Sequence, residues 1–252
     1  MFMRIWLKPT KLLLLTFFAL SSLLSHAFKV TPMVAEFEAT GDKATQNFVV
    51  LNTQQEEIAV EVLGQKRGYD SSGEETRSDS LDLSIYPPQF TLKPGAKRLV
   101  RISYIGSDKS PQTEIPFRII FQQLPVNLIQ EKVRNSDVNL KFLLRYVASA
   151  YVLPKERKAQ LKVMSIKQNK NQLELNLLNT GNTHVVLSGI KIKFENEKTS
   201  STPYSVLASD HKVLAAENLL PGMTKTYKLS LKGAFPKDLD QRSASIILSG
   251  EN

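Results

Sequence analysis

The chain has 252 residues, no cysteine and a formal net charge of +9. Without cysteine it forms neither disulfides nor thiolate metal sites, so each folding unit must be held together by its apolar core. Lysine and arginine are scattered rather than gathered in blocks interleaved with aromatic residues, which argues against nucleic-acid binding and indicates a solvated basic surface.

The first 27 residues have the features of a secretory signal. Three basic residues precede an apolar run, Leu12–Leu24, and a small-x-small cleavage site ends at Ala27. The run is short for a membrane span, although an uncleaved anchor is the alternative. Cleavage would leave residues 28–252, with a charge of +6. A chain of this length suits two small domains or one large all-β domain. We expect no stable membrane insertion of this mature protein.

From Phe28 onward nearly every signal favours β-strands, and no convincing amphipathic helix is found. Turn residues separate short apolar or alternating runs, as in an immunoglobulin-like sandwich. We interpret Gly68–Ser80 as a loop because it is polar and rich in serine, glycine and charge. About seven strands are predicted up to Pro154, in the segments 30–37, 46–52, 58–62, 81–86, 99–104, 117–125 and 138–154.

A second, smaller sandwich is predicted after a linker. The segment Pro154–Lys158 is short and charged and begins with proline. Strands resume in the segments 161–168, 172–178, 185–194, 225–231 and 244–248. The predicted organisation is therefore a signal over 1–27, one domain over 28–154 and another over 155–252.

The last strand of the first domain is unusual. It follows a polar segment, 130–137, and it is long, because strands are typically about 5–6 residues. One side of it is apolar, with Val138, Leu140, Phe142, Leu144 and Tyr146 at alternate positions. The pattern fits either an ordinary core strand or a strand whose apolar face binds another protein. In the second case the strand would add to the open edge of a partner sheet.

No active site, cofactor motif or metal site is evident. The sequence lacks a P-loop, G-x-S-x-G, H-E-x-x-H and G-x-G-x-x-G. We interpret Glu74 and Glu75 as solvated loop residues. His184 and His211 are the two histidines after the signal, and each fits a structural or surface role. We therefore predict a protein that is not an enzyme and has no cofactor.

Four segments, in order, resemble the PapD-like periplasmic chaperones of chaperone–usher pili. Ile85–Ile102 carries a Pro-Pro, a Pro-Gly and an arginine at the family spacing. Pro116–Pro125 is similar to the family's strand ending in Leu-Pro, and Val138–Pro154 is similar to its donor strand. Leu173–His184 is similar to the entry of its second domain. The resemblance covers 28–252 and is nearest to the archaic branch.

The resemblance implies a fold and a mechanism. The fold is all-β, with two immunoglobulin-like β-sandwich domains in an L- or boomerang-shaped arrangement. The mechanism is donor-strand complementation, in which the chaperone lends a strand to a pilus subunit in a one-to-one complex and delivers it to an outer-membrane usher. The location implied is the periplasm. The donor positions would be Val138, Leu140, Phe142, Leu144 and Tyr146.

The sequence departs from the best-known branch at the anchor for the subunit's C-terminal carboxylate. That branch uses an arginine in the first strand and a lysine late in the donor strand. The matching positions here are Met33 or Val34, and Ser149. By resemblance to the archaic branch we expect the anchor at Arg101, with Arg118 and Arg145 as alternatives, because guanidinium groups bind carboxylates in a bidentate manner.

Two other functions compete with the chaperone interpretation. A secreted adhesin or ligand-binding module would need exposed aromatic residues, and the only tryptophan, Trp6, lies in the signal. A secreted hydrolase would need a nucleophile–histidine–acid set built on His184 or His211.

Overall fold

The structure is a computed structural model and describes residues 28–70, 73–125, 142–194, 204–215, 217–231 and 244–247. The predicted signal, 1–27, and the predicted donor residues Val138 and Leu140 lie outside these ranges. Within them the only α-helix is the four-residue α1, Lys212–Ala215, and no helix has the length and hydropathy needed to cross a membrane. The regular structure is otherwise almost entirely strand, as the sequence predicted.

The first domain is a sandwich of two sheets. Its described strands are β1 (Phe28–Thr31), β2 (Val34–Glu38), β3 (Thr45–Asn52), β4 (Ile58–Tyr69), β5 (Glu75–Asp79), β6 (Leu83–Tyr86), β7 (Gln89–Leu92), β8 (Lys97–Tyr104), β9 (Ile115–Leu124) and β10 (Arg145–Leu153). One sheet has the order β1-β3-β8-β6, and the other has the order β2-β10-β9-β4-β5, with β7 also paired to β4. The neighbours are antiparallel except for β2 and β10, which are parallel.

Alternating side chains fill the space between the sheets. In β3 and β8, Phe48, Val50, Val100 and Ile102 are completely buried, and residues between them are more exposed. The centroid of the Phe48 ring lies 5.6 Å from that of Phe121 in the opposite sheet. The period-two pattern in the sequence therefore records which side of each strand faces the core.

Two parts of the strand prediction for residues 28–124 were wrong. β5 lies inside the segment predicted as a loop, where it pairs with the end of β4 and gains regular structure from backbone hydrogen bonds rather than from apolar side chains. The first predicted strand is in fact two strands, β1 and β2, which pair with different sheets. Pro32 lies at the break and has no N–H to donate to a ladder.

The second domain is the predicted smaller β unit. Its described strands are β11 (Leu161–Asn169), β12 (Gln172–Asn179), β13 (Val185–Val186), β14 (Lys191–Phe194), β15 (Tyr204–Leu207), β16 (Asn218–Leu219), β17 (Thr224–Ser230) and β18 (Ala244–Ile247). They form the sheets β11-β12-β17, β13-β16 and β15-β14-β18. The single strand predicted over 185–194 is interrupted by a 3₁₀ turn, Leu187–Gly189.

The two domains share the end of β10. Ala150 and Val152 pack in the first core, whereas Tyr151 and Leu153 pack in the second. Successive side chains of a strand point to opposite faces, so this one strand contributes to both cores. We propose to keep the domain boundary at 154/155, which the separate cores on its two sides support.

Gly181 fixes the path of the linker. A Cβ atom at this position would lie 2.1 Å from the backbone oxygen of Lys158, a distance that no side chain tolerates. The N–H groups of Thr180 and Gly181 donate to the carbonyl of Gln160. Glycine is therefore required here, because only its backbone can approach the linker this closely.

A buried asparagine ends a central strand in each domain. The side-chain amides of Asn52 and Asn179 each donate to two backbone carbonyls, those of Glu56 and Leu92 and those of Thr183 and Leu219, at 2.8–3.0 Å. Their own backbone carbonyls accept from Gly95 and Gly222, the positive-φ residues of two Pro-Gly turns. The same device thus joins a strand to a distant turn twice in the chain.

Candidate functional site

Three rows of side chains cross the outer face of the six-stranded sheet. Opposite residues in paired strands project to the same side, so the register defines the rows. Across β10, β9 and β4 they are Arg145–Gln122–Glu61, Val147–Ile120–Leu63 and Ser149–Arg118–Gln65. The third row continues to Val34 of β2. Val34 and Ser149 are positions at which this sequence lacks the expected basic anchor residues. The third row therefore places both of them in line with an arginine, Arg118.

One edge of β10 is open over its first half. β2 pairs with β10 only from Ser149 to Leu153, and the N–H of Ser149 already donates to the carbonyl of Met33. From Arg145 to Ala148, no described strand pairs with that edge. An open edge presents unpaired backbone donors and acceptors to another chain.

Within the described residues, the predicted donor strand begins later than its sequence pattern indicates. β10 begins at Arg145, and residues 142–144 have no regular structure, although the carbonyl of Leu144 still accepts from the N–H of Gln123. The partner strand β9 ends at Leu124, immediately before Pro125, so β9 offers no ladder to residues 142 and 143. Among the described residues, the strand prediction was therefore wrong for residues 142–144.

The described donor residues differ in exposure. Phe142 is 74% exposed. Leu144 and Tyr146 are half-buried against the first core, and the Tyr146 ring meets that of Phe28 edge to face at 4.7 Å. Phe142 is thus the most exposed of the described apolar side chains at this edge, ahead of Leu143 at 53%, and offers the largest exposed fraction to another protein.

The three predicted anchor arginines lie in different places. Arg101 is exposed on the outer face of the four-stranded sheet, opposite Asn47 and Tyr86. Arg145 is exposed at the start of β10. Arg118 is half-buried and lines a cleft of about 470 Å³ between the domains. Within the described residues, only Arg118 of the three makes side-chain ion pairs.

Arg118 belongs to an ion cluster centred on Glu75. Its Nε donates to Glu75 Oε1 at 3.1 Å, its Nη2 donates to Glu75 Oε2, and its Nη1 donates to Ser149 Oγ. Arg77 Nε donates to Oε1 at 2.6 Å, and Arg67 Nε lies 2.7 Å from Oε2. Glu75 is therefore not the solvated loop residue that we predicted, because pairing of β5 with β4 brings it beside these arginines.

Arg67 ties this cluster to the second domain. Its side chain is 4% exposed, and its guanidinium donates to Tyr69, Tyr151 and Asn218. On the opposite wall of the cleft, Lys225 and Glu217 form an ion pair at 3.0 Å. Neither Arg67 nor Glu75 was predicted as a site residue, because their approach depends on a hairpin and a domain contact.

The electrostatics of the cleft favour ionised groups. Burial alone would raise the pKa of the Glu75 carboxyl, but hydrogen bonds from Arg118 and Arg77 and the charge of Arg67 outweigh it and lower the pKa from 4.5 to about 2. Burial would lower the pKa of Arg118, but its hydrogen bond to Glu75 raises it. Both groups are charged at every physiological pH.

The histidine in the second-domain entry has a structural environment. His184 Nδ1 lies 2.8 Å from Glu114 Oε2 of the first domain, and its ring stacks on Tyr151 at 3.9 Å. Among the described residues no group of histidine, cysteine, aspartate and glutamate could hold a metal ion.

The family model for pili and flagellar-assembly chaperones, PapD N-terminal domain, matches residues 29–157. The chain belongs to this family. No curated protein sequence matches it.

Solved structures of fimbrial chaperones share the two-domain fold. The class 5 fimbriae chaperone CfaA has 17% identity and a TM-score of 0.56, with 88% of this chain and 98% of that chain covered. The CsuC–CsuE chaperone–tip adhesion subunit complex of archaic Csu pili from Acinetobacter baumannii has 16% identity, a TM-score of 0.53 and coverages of 80% and 89%. The E. coli chaperone DraB has 15% identity, a TM-score of 0.53 and coverages of 81% and 85%.

Proposed function

We propose that this member of the pilus chaperone family binds a pilus subunit one to one in the periplasm, completes the subunit's sheet with the β10 edge, and passes it to an outer-membrane usher. The observation that carries the proposal is the open half-edge of β10, from Arg145 to Ala148, with the exposed Phe142 beside it. It is a binding function without a catalytic step, so we expect no enzymatic activity.

Strand addition at this edge has a clear physical basis. A subunit that lacks a strand exposes an apolar groove and unpaired backbone groups, which promote aggregation. The backbone of β10 would supply hydrogen bonds, and alternate side chains would fill the groove. Phe142, Leu144 and Tyr146 are the described residues that can do so, and Val138 and Leu140 remain predicted members of the same series.

The end of the open edge supports Arg118 as the carboxylate anchor. A subunit strand lying along β10 must stop where β2 takes over the edge, at Ser149. Arg118 is the cross-strand neighbour of Ser149 and donates to its hydroxyl group. A terminal carboxylate at that point would meet a guanidinium group on the wall of the cleft. Arg101 lies on the other sheet, and Arg145 lies four residues before Ser149 in β10. Both serve as comparison sites in the test.

The test is periplasmic co-expression of the chaperone with the pilus subunit encoded beside it, followed by purification of the complex. We expect Phe142→Arg and Arg118→Ala to lower the yield of complex at least tenfold, because each removes a side chain that is proposed to contact the subunit. Val213→Arg is the matched control, since Val213 is 44% exposed on the second domain and is not among the residues that line the cleft.

Each outcome separates one part of the proposal from another. Loss with Phe142→Arg but not with Arg118→Ala would support strand donation and reject Arg118 as the anchor. Loss with Arg101→Ala or Arg145→Ala instead of Arg118→Ala would move the anchor to that residue. Full yield with Phe142→Arg would reject strand donation through this edge.

A further inference from the structure

Glu75 is a carboxylate shared by three arginines. Arg67, Arg77 and Arg118 all lie within 2.7 Å of one of its oxygens. The side chains of Glu75, Arg118 and Arg67 are 20%, 16% and 4% exposed, so these charges meet in a place that water reaches poorly. Charges in such a place interact more strongly than charges on the surface.

Positive charge exceeds negative charge among the groups that are in direct contact in this cluster. Three guanidinium groups face one carboxylate, and the cations therefore exceed the anions by two. The Lys225–Glu217 pair on the other wall is neutral as a unit. The cleft lining as a whole is balanced, because Arg67, Arg118 and Lys225 face Glu74, Glu75 and Glu217. A second carboxylate would therefore bind through unused N–H groups of Arg118 rather than through an excess of charge.

Arg118 has donors to spare, and its orientation is fixed. A guanidinium group has five N–H donors in a rigid fork. Two of them bind the two oxygens of Glu75 and one binds Ser149, and no further acceptor for Arg118 is found among the described residues. The bidentate contact with Glu75 holds the plane of the guanidinium group, so its two remaining N–H groups are held in place before any partner arrives.

We propose that Glu75 is the positioning residue of the carboxylate anchor: it holds Arg118 on the cleft wall so that the arginine's unused N–H groups select a free C-terminal carboxylate. This inference rests on the proposed function, because it assigns a role within the proposed subunit-binding site. Preorganisation of this kind strengthens binding by lowering the ordering cost that an unrestrained arginine would carry.

A positioning role for Glu75 predicts selectivity for a ligand with a terminal carboxylate over its uncharged counterpart, whereas a purely structural role does not. A residue that only stabilises the domain contact would, when changed, weaken the binding of every ligand by a similar factor. A positioning residue affects the ligand with a terminal carboxylate and leaves its uncharged counterpart almost unaffected. The informative quantity is therefore the ratio of two dissociation constants rather than either constant alone.

The experiment uses a synthetic peptide with the sequence of the last strand of the pilus subunit that is encoded beside the chaperone. The peptide is prepared as the free acid and as the C-terminal amide. Binding to the purified full-length mature protein is measured by fluorescence anisotropy. For the unchanged protein we expect the acid to bind about tenfold or more tightly than the amide, as hydrogen bonds between charged groups are strong. We expect Glu75→Gln to reduce this ratio to below about threefold while the amide binds as before.

Glu74→Gln is the matched control. Glu74 is the adjacent residue, is exposed and lines the same cleft, but contacts none of the three arginines. It should keep the ratio of the unchanged protein. Glu75→Asp is the second variant if Glu75→Gln does not fold, because the shorter carboxylate retains the charge but cannot hold Arg118 in the same geometry. Its ratio of dissociation constants should lie between that of the unchanged protein and that expected for Glu75→Gln.

The failure of this inference can be distinguished from the failure of the anchor. If Arg118→Ala keeps the ratio, or if the unchanged protein binds neither peptide or both equally, the carboxylate anchor at Arg118 is rejected. If Arg118→Ala abolishes the ratio and Glu75→Gln keeps it, the anchor stands and the positioning role is rejected. If Glu75→Gln raises the ratio, Glu75 competes with the peptide carboxylate, which also overturns the proposal.

Discussion

At the scale of single residues, the ion pairs of Glu75 make the stability of the fold depend on pH in acid. The pKa of this carboxyl is lowered from 4.5 to about 2 in the folded protein. A lowered pKa means that the ionised carboxylate stabilises the fold above about pH 4.5 and that this contribution disappears as the pH falls towards 2. Glutamine at this position has no proton to bind.

We therefore expect the difference in unfolding free energy between the unchanged protein and Glu75→Gln to be constant above about pH 5 and to shrink between pH 4.5 and 2. Urea unfolding at several pH values measures it. Glu74→Gln, whose side chain is exposed, should not reproduce this shrinking difference. Parallel curves for the unchanged protein and Glu75→Gln throughout this range would contradict the assignment.

At the scale of elements, the buried asparagines join strands to turns that are distant in sequence. Asn52 supports the turn at Gly95, and Asn179 supports the turn at Gly222. Alanine at Asn179 would leave two buried carbonyl groups without their donors, and alanine at Asn52 would leave one that is buried and one that is partly buried. We expect each substitution to lower the unfolding free energy by about 1–3 kcal/mol. Denaturant unfolding measures the loss, and Asn47→Ala, an exposed position in the same strand as Asn52, should change stability by less than about 0.5 kcal/mol.

The sequence predicts those elements whose side chains carry the pattern. β3, β8 and β12 alternate clearly because one face of each is buried, and the two sandwiches followed from such runs. β5 has no apolar pattern because its stability comes from pairing with β4, and pairing across a hairpin leaves little trace in local composition. The start of β10 is equally nonlocal, since it depends on where β9 ends.

In the candidate site, too, some features can be predicted from the sequence and others depend on the fold. The apolar series through Phe142, Leu144 and Tyr146 is visible in the sequence because alternation is local. The order of preference among the arginines is not visible there, because it depends on which sheet each strand joins. Arg101 lies on the four-stranded sheet, whereas Arg118 is next to Ser149 and the domain contact. The anchor at Arg118 remains a prediction until the variants are measured.

At the scale of the whole molecule, Tyr151 connects the two domains. It belongs to a strand of the first domain and is packed in the second core, where its ring stacks on His184 and its hydroxyl accepts from Arg67 and Asn218. A connection of this kind makes the domains unfold together. The unchanged protein should therefore show one calorimetric transition.

We expect Tyr151→Ala to lower stability by about 3–5 kcal/mol and to separate this transition into two, because the variant loses buried area and the hydrogen bonds between the domains. Phe37→Ala is the matched control: Phe37 is an aromatic residue with 1% exposure in the first core alone. That change should lower the first domain's stability while leaving its coupling to the second intact. A single transition in Tyr151→Ala would show that other contacts hold the domains together.

The pairing of β2 with β10 from Ser149 onward has a consequence for the pilus subunits themselves. If the subunit chain must end where that pairing begins, the position of its C-terminus sets the register of its last strand along β10. Neighbouring side chains of a strand point in opposite directions, so a subunit lengthened by one residue would shift along β10 and receive the wrong chaperone side chains in its groove. Lengthening by two residues would restore the directions but carry the terminus past the stop. Subunits that share this chaperone would therefore be held to a common length beyond their last core residue, even where their sequences differ.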